Sequence, residues 1–419
     1  MSAQLNIVVA GGGFAGLESA FLLHHRLHDD VRITLVSDQD RFLFRPNTIY
    51  IPFGLDPASL EIPLTHPTHR QHINFVQDRV VGVDPREHRL ELENSTLKYD
   101  KLIIATGAAM RPEEVPGLAE HASTIWTTQS MQELGKTVDR IVEQGRAGTP
   151  TTVLFLIPPN NKCAGPLYEM VFMVETHLRR KEARSPVKII WATSEHFYIQ
   201  AFGPKIHEIV SHEFAERGIE GHVEHVVTEV TENRATFTNG AEIEYDELIS
   251  FPPYISAVNY EALPSDERGF IVTEMETRAV KDTPDVYAPG DAGDFPVKQA
   301  FLAFLQADAV AEAIAGEVLG KKPRAGFDPV SMCVMEQLDK AIFAQVPLRV
   351  TGIPDRPVEV RPDAGAEYKV GSGPAWRLGK KLLGVYLPMR FRAGEPFHAG
   401  TAWSMMDFGL KAMSGVLAD

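Results

Sequence analysis

Cys163 and Cys333 are the only cysteines among 419 residues and stand 170 positions apart. That count builds neither a disulfide framework nor a zinc centre, which wants four ligands at short local spacing, and no metal site is expected. Cys163 falls in the turn Pro159-Asn160-Asn161-Lys162-Cys163-Ala164-Gly165-Pro166, between an apolar strand read over residues 151–158 and a helix continuing from Met170 to Leu178. At a helix start the backbone dipole lowers a thiol's pKa and favours the nucleophilic thiolate. A buried cysteine acting as a small hydrophobe is the competing reading. The polar neighbours Asn160, Asn161 and Lys162 favour the reactive one, and Glu169, six residues on, is a candidate base.

A second set of residues suits phosphate and sugar. Gly11-Gly12-Gly13-Phe14-Ala15-Gly16 follows the apolar run LNIVVA and opens a helix with apolar periodicity through Leu17, Ala20, Phe21 and Leu23. Gly11 permits a tight turn, Gly13 lets the backbone approach a pyrophosphate, and Gly16 allows close helix–strand packing; Phe14 and Ala15 open the helix whose N–H groups face the anion. A second strand, VRITLVSD, ends at Asp38, 22 residues after Gly16, where a carboxylate accepts from ribose hydroxyls. Near the other end of the chain, VYAPGDAGDF places Gly290 and Asp291 on a strand-to-helix turn, well placed to meet sugar-like hydroxyls.

Buried strands must hold these turns. KLIIATGA reads as one, ending in Thr106-Gly107. The segment FLFRPNTIYIPFG, with Arg45, fits neither period; it reads as a loop around a planar ring system or as a surface loop with aromatic anchors. The alternation in NFVQDRVVGVDPREHRLELEN predicts antiparallel strands. A second strand–helix–strand frame runs through TTVLFLIP and VKIIWATSE, ending near Glu195, but Pro158, Pro159 and Asn160 occupy the turn where a pyrophosphate needs bare backbone. NADH is therefore a poor fit as reductant. Beyond residue 325 short strands follow, then two Trp-bearing amphipathic stretches. The first groups Trp376, Leu383 and Leu387 with Lys380 and Lys381 alongside, as in a helix lying in a membrane interface; core or dimer helices read the same way.

Composition bounds the rest. With 44% hydrophobic and 23% charged residues the chain is globular, and its length suggests two or three domains. A formal net charge of -15 argues against nucleic acid as a partner. No apolar run reaches the ~18 residues of a spanning helix, and the N-terminal residues lack the pattern of an export signal. A cytoplasmic protein is expected.

The glycine-rich first strand, the Thr-Gly strand end and the late Gly-Asp turn resemble the flavoproteins with two dinucleotide-binding domains. FPPY at residues 251–254, the segment DFPVKQAFLAFLQADAVAEAI and KCAGPLYE narrow this to a resemblance to sulfide:quinone oxidoreductases and the flavoprotein subunit of flavocytochrome c sulfide dehydrogenase. The resemblance implies an α/β fold: two Rossmann-like dinucleotide-binding domains, as in glutathione reductase, plus a C-terminal α+β segment. It divides the chain into a discontinuous FAD-binding domain (1–110 and 285–325), an inserted NAD-binding-like domain with a degenerate phosphate turn (111–284) and a C-terminal domain (326–419). It makes Gly11, Gly13, Gly16, Asp38, Thr106, Gly107, Gly290 and Asp291 FAD contacts and sets Lys298 and Gln299 beside the isoalloxazine. Cys163 and Cys333 become a disulfide or polysulfide bridge that sulfide attacks, with electrons passing to FAD and then to quinone. Many quinone-reducing members carry a third cysteine that STIWTTQSMQEL lacks; the flavocytochrome branch works with two, so cytochrome c is an alternative acceptor. A type II NADH:quinone oxidoreductase and a non-catalytic flavin-binding protein are further alternatives. Peripheral contact with the inner face of a membrane and homo-oligomerisation stay open.

Overall fold

The computed structural model describes residues 4–324 and 326–418. Strand β1 (Leu5–Ala10) runs through Gly11–Gly13 into helix α1 (Phe14–Leu27), followed by β2 (Val31–Ser37), β3 (Asn74–Gln77) and β4 (Lys101–Ile104). After a crossing, the second frame begins with β5 (Thr151–Ile157), α2 (Gly165–Arg180) and β6 (Val187–Thr193), and is completed by β7 (Glu247–Ser250). The chain then returns through β8 (Val286–Tyr287) to helix α3 (Ala300–Leu319). The C-terminal part holds β9 (Val330–Glu336), β10 (Ala341–Ile353), α4 (Pro374–Ala393) and α5 (Gly400–Leu417).

Two five-stranded parallel sheets result. The first has the order β8-β4-β1-β2-β3; the second places β7 and β6 on either side of β5, with Ala122–Thr124 and Ile219–His222 at its edges. Strands β1, β4 and β5 are buried almost throughout, as a sheet covered on both faces requires. In each sheet the order in which strands are added reverses at β1 or β5. The crevice at that strand's carboxyl end is the standard ligand position of an open α/β sheet. A two-stranded ribbon, Ala108–Met110 with Tyr254–Ser256, joins the two crossings.

Several local expectations shift. Asn74–Gln77 joins the parallel sheet, while Val80–Asp84, Arg89–Leu92 and Thr96–Lys98 form the antiparallel meander that their alternation predicts. The helix after the Gly290-Asp291 turn starts at Ala300, so Lys298 and Gln299 are not yet helical. Trp376 does not face outward: it is 1% exposed and stacks on Phe343 with ring centroids 4.0 Å apart and planes 5° from parallel. Burial of that indole and its stacking, worth about 1 kcal/mol beyond area, pin α4 to β10. The exposed apolar side chains of α4 are instead Leu378, Leu382, Val385 and Met389, spaced along one helical face, and α5 adds Met405, Phe408 and Val416. No helix among the described residues is long and apolar enough to cross a membrane.

Candidate flavin and thiol site

Gly11 and Gly16 are required by contact. A Cβ on Gly16 would stand 1.8 Å from the carbonyl oxygen of Gly11, and Gly11 itself adopts φ +121° with its Cβ position 2.2 Å from the oxygen of Ala105. Gly13 differs, because a Cβ there would meet no protein atom within 4 Å. It opens into a continuous cavity of about 1480 Å³. Gly11, Gly13, Phe14, Ala15, Asp38, Arg45, Thr106, Gly107, Asp291, Lys298, Gln299, Cys163, Glu169 and Cys333 all line this cavity. Gly16 and Gly290 stand behind the wall, and a Cβ on Gly290 (φ +74°) would stand 2.9 Å from the Ala15 Cβ, so the Asp291 turn packs closely on Ala15.

The loop carrying Arg45 is a strand and a 3₁₀ helix, Arg41–Leu43 and Arg45–Phe53, and it lines the cavity rather than the outer surface. The Arg45 guanidinium lies 4.3 Å from the Trp126 ring and donates to the Trp126 carbonyl at 3.3 Å. Asp291 is held above the usual carboxylate range by burial, against the pull of Lys298 and Arg45. Lys298 is 3% exposed, its Nζ 3.8 Å from the centre of the Phe270 ring and donating to the Gly293 carbonyl. Burial brings its pKa down to about 7. Its backbone N–H donates to the Lys162 carbonyl at 3.0 Å, joining the flavin-side strand–helix turn to the thiol turn. Gln299 ties in the C-terminal sheet: its Nε2 donates to the Met332 carbonyl at 3.1 Å and its Oε1 accepts from Ser331 at 2.8 Å.

Cys163 lies two residues before α2, and Cys333 sits in mid-β9, opposite Ala344. The Cys333 sulfur is 3.9 Å from the point where a Cβ on Gly165 would stand, so β9 delivers it to the start of α2. Both thiols are free. The expected lowering of the Cys163 pKa is overturned: burial, and then the neighbouring Cys333, push it well up, and burial takes Cys333 up to about 12. Desolvation outweighs the helix dipole because these sulfurs sit in an apolar wall.

Behind Cys333 lies a polar network that sequence reasoning missed. Glu169 ion-pairs with Lys380 and accepts from the Glu336 N–H at 2.9 Å; burial raises its pKa although Lys380 opposes this. Glu336, fully buried, accepts from Tyr50 Oη and from Arg377 Nε, each at 2.6 Å. Lys380 is thus a cavity residue and not a lysine of an interfacial face. The signal lay in Glu336, since an acid inside the apolar strand VSMCVME needs a cationic partner.

The family described as pyridine nucleotide-disulphide oxidoreductase matches residues 5–143 and 174–307. The chain belongs to this family. The unmatched stretch between the two parts holds the Pro-Asn turn and Cys163. A sulfide-quinone reductase of Aquifex aeolicus is 28% identical over 221 residues, 51% of this chain and 50% of that relative. The mitochondrial sulfide:quinone oxidoreductase of Mus musculus is 24% identical over 308 residues, 70% of this chain and 66% of that protein. These alignments span half to two thirds of the relatives' length. The X-ray structure of the sulfide:quinone oxidoreductase from Aquifex aeolicus superposes with a TM-score of 0.83 over 98% of this chain and 96% of that one, at 20% identity, and shows the same fold. FAD is the cofactor of this flavoprotein family, and the cradle here fits it: open backbone at Gly13, a carboxylate at Asp38, and the Gly290-Asp291 turn packed on Ala15.

Proposed function

We propose that the protein is an FAD-dependent oxidoreductase that takes electrons from sulfide through Cys163 and Cys333 and passes them to a quinone. The supporting observation is that its only two thiols, 170 positions apart, line one cavity with Lys298 and Gln299. We also read residues 1–110 with 285–325 as the FAD-binding domain, 111–284 as the insert and 326–419 as the C-terminal domain. FAD, when bound, supplies acceptance of two electrons.

The chain's residues do the rest. In the oxidised pair, sulfide attacks one sulfur and releases the other as thiolate by thiol–disulfide exchange. Burial disfavours that thiolate, and at Cys333 the Lys380 ammonium opposes the effect. Glu169, whose charge is felt at Cys333 and which is paired with Lys380, is the base of this site. Two observations weigh against NADH as the electron source. The turn at Pro158–Asn161 has no open glycine. The carboxylate of Glu195 is spent inside the protein, accepting from Tyr168 Oη at 3.2 Å, Thr193 Oγ1 at 3.0 Å and the Gln200 N–H at 2.9 Å. The exposed apolar face of α4 and α5 favours a lipid-dissolved quinone over cytochrome c, with the protein peripheral on the membrane. Stopped-flow mixing tests this reading: sulfide should bleach the flavin absorbance and NADH should leave it nearly unchanged. Rapid bleaching by micromolar NADH, with none by sulfide, would overturn it.

A further inference from the structure

Asn161 is bonded on both sides of its amide. Its Oδ1 accepts the backbone N–H of Cys163 at 2.9 Å, closing a turn over Lys162, while its Nδ2 donates to the carbonyls of Phe251 at 2.9 Å and Pro252 at 3.1 Å. Those carbonyls follow β7, so the amide ties the thiol turn to the end of a central strand. On either side the same turn is fixed again: the Asn160 carbonyl accepts from the Tyr254 N–H at 3.0 Å and the Lys162 carbonyl from the Lys298 N–H at 3.0 Å. Both of those are main-chain contacts that do not use the side chain at 161. Among the described residues, the side-chain hydrogen bond to the Cys163 backbone comes from Asn161 alone.

We infer that Asn161 is a positioning residue that fixes the Cys163 sulfur toward Cys333. The inference rests on the reading of the two cysteines as a redox pair and goes beyond it by naming what orients one member. Asparagine meets the requirement because its amide carries an acceptor and a two-proton donor on one short side chain. Serine can reproduce the first half, since its hydroxyl closes the same turn to the N–H two residues on, but it cannot reach two carbonyls.

Formation of the Cys163–Cys333 disulfide in the FAD-bound full chain, driven by diamide and followed by mass after labelling of residual thiols, tests this. Diamide accepts the two electrons and two protons of the pair and becomes its hydrazine as the S–S bond forms. Loss of hydrogen bonds that hold a reactive geometry is expected to slow the reaction about tenfold in Asn161→Ala, and Asn161→Ser should recover to within about fivefold of wild type. An alanine variant within about fivefold of wild type, or a serine variant no faster than alanine, would overturn the assignment. If Asn161→Ala does not fold, the serine variant decides alone: slowing beyond about fivefold overturns it, and less supports it. Because diamide replaces sulfide, a wild-type protein whose flavin sulfide fails to bleach would sink the sulfide reading and leave the Asn161 result standing.

Discussion

Lys380 of α4 ion-pairs with Glu169 of α2 across 211 positions of sequence, in the wall of the cavity that also holds Cys333. The pair joins the C-terminal helix to the helix that follows the thiol turn. Lys380 also donates to the Val334 carbonyl at 2.7 Å, on the strand that carries Cys333. Lys380→Met should destabilise the fold by about 3 kcal/mol, because it leaves a buried carboxyl without its cation. The pH dependence has a definite sign. Glu169 is raised in the fold by burial, so its stabilising contribution is present at low pH and is lost as pH rises from the ordinary carboxylate range through its raised value. Without Lys380 the value rises further, and the denaturation midpoint of the variant should fall more steeply between weakly acidic and neutral pH than that of wild type. Urea unfolding at several pH values checks this; parallel curves would refute it.

The thiols should be slow toward alkylation at neutral pH. Cys333, pushed up to about 12 by burial, stays a thiol at pH 8, and Cys163 is raised as well. Iodoacetamide labelling should accelerate continuously as pH rises from 8 toward 11, with no plateau. A plateau near pH 7 would mean that the dipole, not burial, governs Cys163. Cys163→Ser and Cys333→Ser are each expected to stop sulfide-dependent bleaching while the protein stays yellow, since the flavin cradle lies on other residues.

Gly13 and Gly16 should separate cofactor from fold. Gly13 has φ -89° and ψ -164°, open to any residue, and its Cβ position meets no protein atom. Gly13→Val should therefore keep the far-ultraviolet spectrum and melting behaviour of the FAD-free protein while losing nearly all bound flavin. Gly16→Val should unfold it instead, because the 1.8 Å approach to the Gly11 oxygen leaves no room without parting α1 from β1. Overpacking of this kind costs about 1–3 kcal/mol or more. Flavin retained in Gly13→Val would show that the cofactor's phosphates pass elsewhere.

How much of this was legible follows from the range of each interaction. The Gly11–Gly16 turn, the Asp38 position and the Gly290-Asp291 turn carry their meaning in local spacing, so sequence reveals them. The strands TTVLFLIP and VKIIWATSE likewise marked a second frame, and the prolines marked its altered turn. The Lys380–Glu169 pair could not be read, because nothing within a helix period of either residue names a partner 211 positions away. Trp376 misled for the same reason: its stacking on Phe343 is tertiary, and a helical wheel alone cannot tell a buried indole from an interfacial one. The Cys163 pKa was misjudged because a dipole is a local property, whereas desolvation depends on what the rest of the chain brings to the sulfur.

The outer face of α4 and α5 should carry the protein to lipid. Leu378, Leu382, Val385 and Met389 repeat at helical spacing, Val385 is 70% exposed, and Phe408 of α5 is 75% exposed. With a net charge of -15 the chain gains little from anionic headgroups, so the driving term is burial of these side chains, about 1.5–3 kcal/mol for each one fully covered. Binding to neutral phosphatidylcholine vesicles should therefore occur and persist at high salt. Val385→Asp with Phe408→Asp should lower the vesicle-bound fraction by about tenfold or more while leaving flavin content and sulfide bleaching intact, because neither side chain lines the cavity. Trp376→Phe, by contrast, should reduce stability and leave vesicle binding unchanged, since that indole is covered by Phe343 and β10. Co-sedimentation with vesicles decides it. A wild-type protein that stays in the supernatant would remove the membrane reading, and with it the physical reason for preferring a lipid-dissolved quinone as acceptor.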